Sequence, residues 1–229
     1  MKRPFFVIFI IFSVLFGTNL LLLNSKDRDL FGFLLKNGDY VLNLVTKENT
    51  LSKYTPNDLV ELSGLGAPRQ FIRKIAFSPL ANLLEAAAQE NLGLKILSAY
   101  RSYTYQNSLF NSYRARNLEA NRFSAEAGHS EHQLGTAIDF GIGDKSIDFT
   151  EAFDQTKAGV WLNENAWKYG FVLSYPASKE KVTGYTHEPW HYRFIGQGVA
   201  REWHRSGLTL KEFLLTKPQF YHSPRKPRE

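Results

Sequence analysis

Four of the six histidines fall in two short segments. His129 and His132 flank Ser130-Glu131, while His187 and His191 flank Glu188-Pro189-Trp190; His204 and His222 stand apart. The first segment continues as Gln133-Leu134-Gly135-Thr136-Ala137-Ile138-Asp139, so a loop histidine is followed, after a glycine, by a carboxylate in an apolar strand-like run. In such a strand Ala137 and Asp139 share one face, and Ile138 and Phe140 share the other. A carboxylate buried there needs a partner to offset its desolvation, and a cation would supply one. In the second segment Pro189 cannot donate to a sheet ladder, so the chain is expected to bend and bring Glu188 beside His191. Two histidines and one aspartate leave a fourth tetrahedral position open, the pattern of catalytic zinc, and a free glutamate nearby suits a general base. Each segment alone also fits a structural reading, as a hydrogen-bonded His–Asp pair or a turn around a packed tryptophan. Spacing alone leaves both readings open.

The elements that must position these residues are short. Leu80, Leu83, Leu84 and Ala87 recur at helical spacing, with Pro79 at the start and Gly93 past the end. Strands are expected at Tyr40–Val45, Leu94–Ser98, Phe171–Tyr175 and Trp190–Ile195, while the stretch to about Arg73, with Pro56, Gly64, Gly66 and Pro68, is expected to be irregular. Thr104 is placed as the cap of a helix reaching about Asn121. A further helix carries Ala158, Trp161, Leu162, Ala166 and Tyr169 and stops at Gly170. Two short helices follow, Gln197–Ser206 and one opened by Thr209 with Glu212 three residues on, a capping-box pattern. Helices and strands are interspersed without regular βαβ alternation, and no internal repeat is visible. The expected fold class is therefore α+β, a small antiparallel sheet flanked by helices.

These residues together carry a specific family resemblance. Ser130 to Asp139 resembles the Ser-x-His-x-x-Gly-x-Ala-x-Asp motif of the zinc D-alanyl-D-alanine carboxypeptidases (VanY-like, peptidase M15B) and LD-carboxypeptidases. Glu188-Pro189-Trp190-His191 is similar to the family's second motif in order and separation, and Ser98-Ala99-Tyr100-Arg101-Ser102 with Tyr105-Gln106 to its substrate-binding segment. The likeness extends to Tyr54–Leu59 and Tyr169–Pro176, about residues 40–200 in all. It implies a hedgehog/DD-peptidase-like zinc peptidase fold and one Zn²⁺ per chain held by His132, Asp139 and His191. It further implies Glu188 as catalytic base, Arg101 as the group binding the substrate carboxylate or the polarised carbonyl oxygen, and Gln106 and Ser130 as lining residues. A guanidinium suits both a planar carboxylate and a developing oxyanion. Leu134-Gly135-Thr136 stands where the family often has Thr-Gly-Leu, and Thr186-His187 before the base is less usual. His129 and His187 are kept out of the ligand set, because two more ligands would close the open position.

Composition narrows the remaining classes. The chain has 229 residues, 43% hydrophobic and 22% charged, enough for one core plus appendages. The absence of cysteine removes disulfides, thiolate metal sites and a cysteine nucleophile. A net charge of +6 invites a nucleic-acid reading. Lys2 and Arg3, however, lie at one end, and Lys217, Arg225, Lys226 and Arg228 lie in the other, leaving the body close to neutral. No nucleic-acid partner is expected. Pro4 to Leu23 is apolar, about a bilayer-spanning length, and no small-residue cleavage site follows. An uncleaved membrane anchor is preferred over a cleaved signal, with the positive end inside and the remainder on the extracytoplasmic side. The expected organisation is an anchor or signal segment over 1–29, a tether and arm over 30–78, a catalytic domain over 79–217 and a basic tail over 218–229. The expected activity is removal of a C-terminal D-alanine from peptidoglycan stem peptides, with the membrane as the other partner. Alternatives are a D-alanyl-D-alanine dipeptidase or an endopeptidase of the same fold, and a non-catalytic wall-binding module.

Overall fold

The computed structural model describes residues 40–217. The expected anchor and the basic tail lie outside the described residues, as does the tether before Tyr40. Among the described residues no helix is long and apolar enough to cross a membrane.

The site rests on a four-stranded antiparallel sheet of order β3-β4-β6-β5, built from β3 (Lys95–Ser98), β4 (Ala137–Gly141), β5 (Phe171–Leu173) and β6 (His191–Phe194). Strand alternation sorts its residues. Ile138, Phe140, Phe171, Tyr192 and Phe194 enter the main core with Leu80, Leu83, Phe153 and Leu162. Asp139, His191 and Arg193 therefore share the opposite face. Register then aligns polar groups across the sheet: Ser98 pairs with Asp139, Asp139 pairs with His191, and the Ser174 N–H donates to the His191 carbonyl at 3.3 Å. The result is a polar row laid over a hydrophobic sheet, the α+β arrangement expected from sequence.

Helices cover the core side. Helix α1 (Lys74–Gln89) buries Ala76, Leu80, Leu83 and Ala87. It begins five residues before Pro79, which lies inside it rather than at its start, a correction to the sequence reading. Helix α2 (Tyr103–Arg114) is capped by Ser102, whose hydroxyl accepts from the Tyr105 N–H, not by Thr104. It stops at Arg114 rather than Asn121, giving way to turns and a 3-10 segment over Ala120–Arg122. Helix α3 (Lys157–Asn165) passes into a 3-10 turn ended by Gly170 at φ +88°. After α4 (Glu180–Thr183), helices α5 (Gln197–Ser206) and α6 (Leu210–Leu215) stand where expected, and α6 carries the Thr209–Glu212 capping box.

Two corrections concern the segment before α1. Tyr40–Leu42 is a 3-10 turn followed by backbone that joins no sheet ladder, not a strand. Its Val41 and Asn43 carbonyls accept from the buried Arg193 guanidinium at 2.9 and 2.6 Å, so the hydrogen bonds of a ladder are replaced by a side chain. The stretch up to Arg73, expected to be irregular, contains a hairpin, β1 (Leu59–Leu62) with β2 (Ala67–Arg73). Gly64, Gly66 and Pro68 had suggested a break. Gly66 at φ +76° closes the turn, and Pro68 sits in the bulge where pairing jumps from Glu61–Phe71 to Leu62–Ala67, so no ladder bond is lost to the proline. Leu62, Ala67 and Ile72 of the hairpin join the main core.

Gly135 fixes the approach to β4. It has φ +71°, and a Cβ there would meet Arg73 Cγ at 2.9 Å, Leu59 Cδ2 at 3.0 Å and Pro56 Cγ at 3.2 Å. Gly135→Ala should cost about 1–3 kcal/mol in chemical denaturation. Gly64→Ala, with nothing within 4 Å of its new Cβ, is the reference and should be nearly neutral. Equal stability of the two variants would refute this account.

Candidate active site

All seven residues singled out from the sequence line one cavity of about 530 Å³ on the polar face of the sheet. His132 stands on a buried 3-10 turn (Glu131–Leu134) that Gly135 terminates. Two backbone contacts hold that turn: the Arg101 N–H donates to the His132 carbonyl at 3.3 Å, and the Arg73 N–H donates to the Gly135 carbonyl at 2.8 Å. Its Gln133 amide donates to the carbonyls of Ser52 and Tyr54, both at 2.9 Å, tying it to the arm.

His132, Asp139 and His191 are all buried, and each presents one ligand atom within 4.8 Å of the others. The remaining nitrogens are committed elsewhere. His132 Nδ1 lies 2.6 Å from the Ala99 carbonyl, so it is the donor, and Nε2, 3.1 Å from Asp139 Oδ2, is the nitrogen left to face Asp139. His191 Nε2 lies 2.9 Å from Glu131 Oε2, while Nδ1 lies 3.0 Å from Asp139 Oδ1. A borderline-soft cation such as zinc fits this donor set of two imidazoles and a carboxylate, each imidazole oriented through its second nitrogen.

Glu188 reaches the same place by the bend at Pro189. The His191 N–H donates to the Glu188 carbonyl at 3.0 Å, and the two side chains lie 3.9 Å apart. Glu188 is thus beside the triad without belonging to it. Arg101 donates from Nε to Ser98 Oγ at 3.0 Å and from Nη2 to Asp139 Oδ2 at 2.5 Å, and its Nη1 has no hydrogen-bond partner among the described residues. Gln106 donates to the Ala125 carbonyl at 2.7 Å, and its Oε1 has no partner among the described residues. Ser130 immediately precedes the 3-10 turn.

Electrostatics separate the groups. Burial raises Glu188 to about 8, reinforced by the negative charge of Asp139 against the opposing pull of His191. Burial works against ionisation of Asp139 too, but His132 and Arg101 hold it well below the usual carboxylate range. Burial and the Arg101 charge push His132 down to about 4. Burial also opposes charge on His191, yet its hydrogen bonds to Asp139 and Glu131 lift it to about 10. Such divergent titration in one cleft is typical of catalytic centres.

The two other histidines of these segments lie outside the triad. His129 Nδ1 bonds the Thr46 carbonyl at 2.8 Å. His187 bridges the Tyr175 carbonyl at 3.0 Å and Asp154 at 3.3 Å. Sequence reasoning missed the residues behind His191: Glu131, Ser174 and Arg193. Arg193 was detectable, since a charged residue two positions past His191 in a strand must share its face. Glu131 adjoins His132 and carried no separate signal.

The fold and cleft are those of a peptidase, and the chain belongs to the VanY family of D-alanyl-D-alanine carboxypeptidases, whose pattern matches residues 69–197. It is an enzyme of that carboxypeptidase class. Among relatives, a Bacillus subtilis (strain 168) protein, YodJ, named as a carboxypeptidase, is 37% identical over 189 residues, covering 78% of this chain and 68% of its own. The solved LD-carboxypeptidase LdcB is 35% identical with a TM-score of 0.68, covering 76% of this chain and 86% of that one. A variant of the vancomycin-resistance D,D-pentapeptidase VanY, solved in complex with Zn(II), is 29% identical with a TM-score of 0.65, covering 77% of this chain and 99% of that one.

Proposed function

We propose that the chain is a zinc carboxypeptidase that removes a C-terminal D-alanine from peptidoglycan stem peptides, with its catalytic domain held on the extracytoplasmic side by the apolar N-terminal segment. The observation that carries the proposal is the convergence of the His132–Asp139–His191 ligand atoms within 4.8 Å, with Glu188 free beside them. A zinc ion held by these three residues would supply Lewis acidity, lowering the pKa of water and polarising a carbonyl. Glu188 takes the proton of the attacking water and delivers it to the leaving amine. Arg101, anchored by Ser98 and Asp139, offers Nη1 to the terminal carboxylate, while Gln106 and Ser130 line the approach.

The test is mass spectrometry of defined tetra- and pentapeptide muropeptides after incubation with the chain and zinc. Loss of one alanine from the pentapeptide assigns a D,D bond, and loss from the tetrapeptide assigns an L,D bond. Loss of neither, with zinc bound, would leave a wall-binding module.

Arg101→Lys should reduce kcat/KM about 10- to 100-fold on substrates with a free carboxylate, because a point charge replaces an oriented fork. C-terminally amidated substrates, already poor, should be affected far less. Equal losses on both kinds would argue against carboxylate recognition by Arg101.

A further inference from the structure

Glu131 is a buried carboxylate with no role in the chemistry just described, and burying a charge is costly unless it is fully paired. Its pairing is complete. Oε1 accepts from Arg193 Nη1 at 2.8 Å, while Oε2 accepts from the Ser174 hydroxyl at 2.6 Å and from His191 Nε2 at 2.9 Å. Arg193 is itself fully buried, and its Nη2 is spent on the carbonyls of Val41 and Asn43. The guanidinium keeps Glu131 an acceptor. His191 Nε2 is then the nitrogen that donates to Glu131, and Nδ1 is the one turned toward Asp139 and the cavity. A simple Glu131–Arg193 pair would not need its second oxygen aimed at a ligand imidazole.

We infer that Glu131 is a positioning residue that fixes the tautomer and ring orientation of His191, so that Nδ1 is the metal ligand, and that Arg193 and the arm carbonyls keep Glu131 in that role. The inference rests on the proposed zinc site and deepens it. Outer carboxylates of this kind typically contribute 10- to 100-fold in metal affinity.

Two measurements test it. In the zinc-loaded wild-type chain, long-range ¹H–¹⁵N correlation of the His191 ring should show Nε2 protonated and Nδ1 metal-bound. Coordination through Nε2 would overturn the proposal without any variant being made. Zinc affinity, measured by competition with a chromophoric chelator, should then weaken 10- to 100-fold in Glu131→Gln. That substitution leaves Arg193 buried without its counter-charge and can fail to fold. The double variant Glu131→Gln with Arg193→Met removes both charges, and it should fold while showing the same loss of affinity. A folded double variant with wild-type affinity would overturn the proposal while leaving the zinc reading intact. A wild-type chain that binds no zinc would overturn both.

Discussion

Glu188→Gln should lower kcat/KM by about 10²–10⁴-fold, the usual contribution of a positioned general base, while zinc content stays at the wild-type level. The amide keeps the shape of the side chain but cannot accept and return a proton. Elemental analysis and turnover on the same preparation separate this from loss of the metal; a variant keeping full rate would remove Glu188 from the mechanism. The same substitution should stabilise the metal-free protein. Glu188 is raised from an ordinary 4.5 to about 8, chiefly by burial. Between those values the folded chain holds a proton that the unfolded chain has released, so stability falls as pH rises through that window. In Glu188→Gln this slope should vanish, leaving the variant more stable by a few kcal/mol above pH 8 and no different near pH 4. Positive charge at the triad favours the ionised form that a base requires, so the cost of burying Glu188 is greatest when the triad is metal-free.

Asp139→Asn should lose zinc and also unfold more easily. Asp139 touches three groups that can carry positive charge: Arg101 at Nη2, His132 at Nε2 and His191 at Nδ1. Neutralising it leaves buried charge on the other side uncompensated, a change that typically costs about 3–5 kcal/mol. The pH dependence has the opposite sign to that of Glu188. Asp139 titrates well below 3.8 in the folded chain, so its contribution is complete above the unfolded value and is lost as pH falls through the folded one. The gap between wild type and Asp139→Asn, measured by denaturation without metal, should therefore be widest near neutrality and close in strong acid. An Asn variant with wild-type zinc content and stability would refute both roles.

Sequence revealed most of the inner face of the site because its chemistry is local. His132 and Asp139 are separated by a glycine that only one conformation explains, and Glu188 and His191 by a proline that forces a bend. The α+β class and helices α5 and α6 were readable for the same reason, since caps and periodicity are short-range signals. What sequence did not reveal depends on partners distant in the chain. The β1–β2 hairpin hides behind Gly64, Gly66 and Pro68, because a bulge accommodates a proline that would break a regular ladder. Tyr40–Val45 has the composition of a strand, yet its carbonyls are taken by an arginine far along the chain. Glu131 looks like any polar residue in a loop until Ser174, His191 and Arg193 are folded around it.

The bonds from Arg193 to the carbonyls of Val41 and Asn43 span 152 and 150 positions, which gives the folding of this chain an order in time. Closing a loop of that length costs about 4 kcal/mol of chain entropy before any contact compensates, so these bonds form late. During synthesis at roughly 5–20 residues per second, the arm waits some 8 to 30 seconds for its arginine to be made. The sheet can begin to assemble from β3 and β4 in that interval, but the support behind His191 cannot. The last support behind His191 is therefore set only when the arm near residue 41 and strand β6 have met.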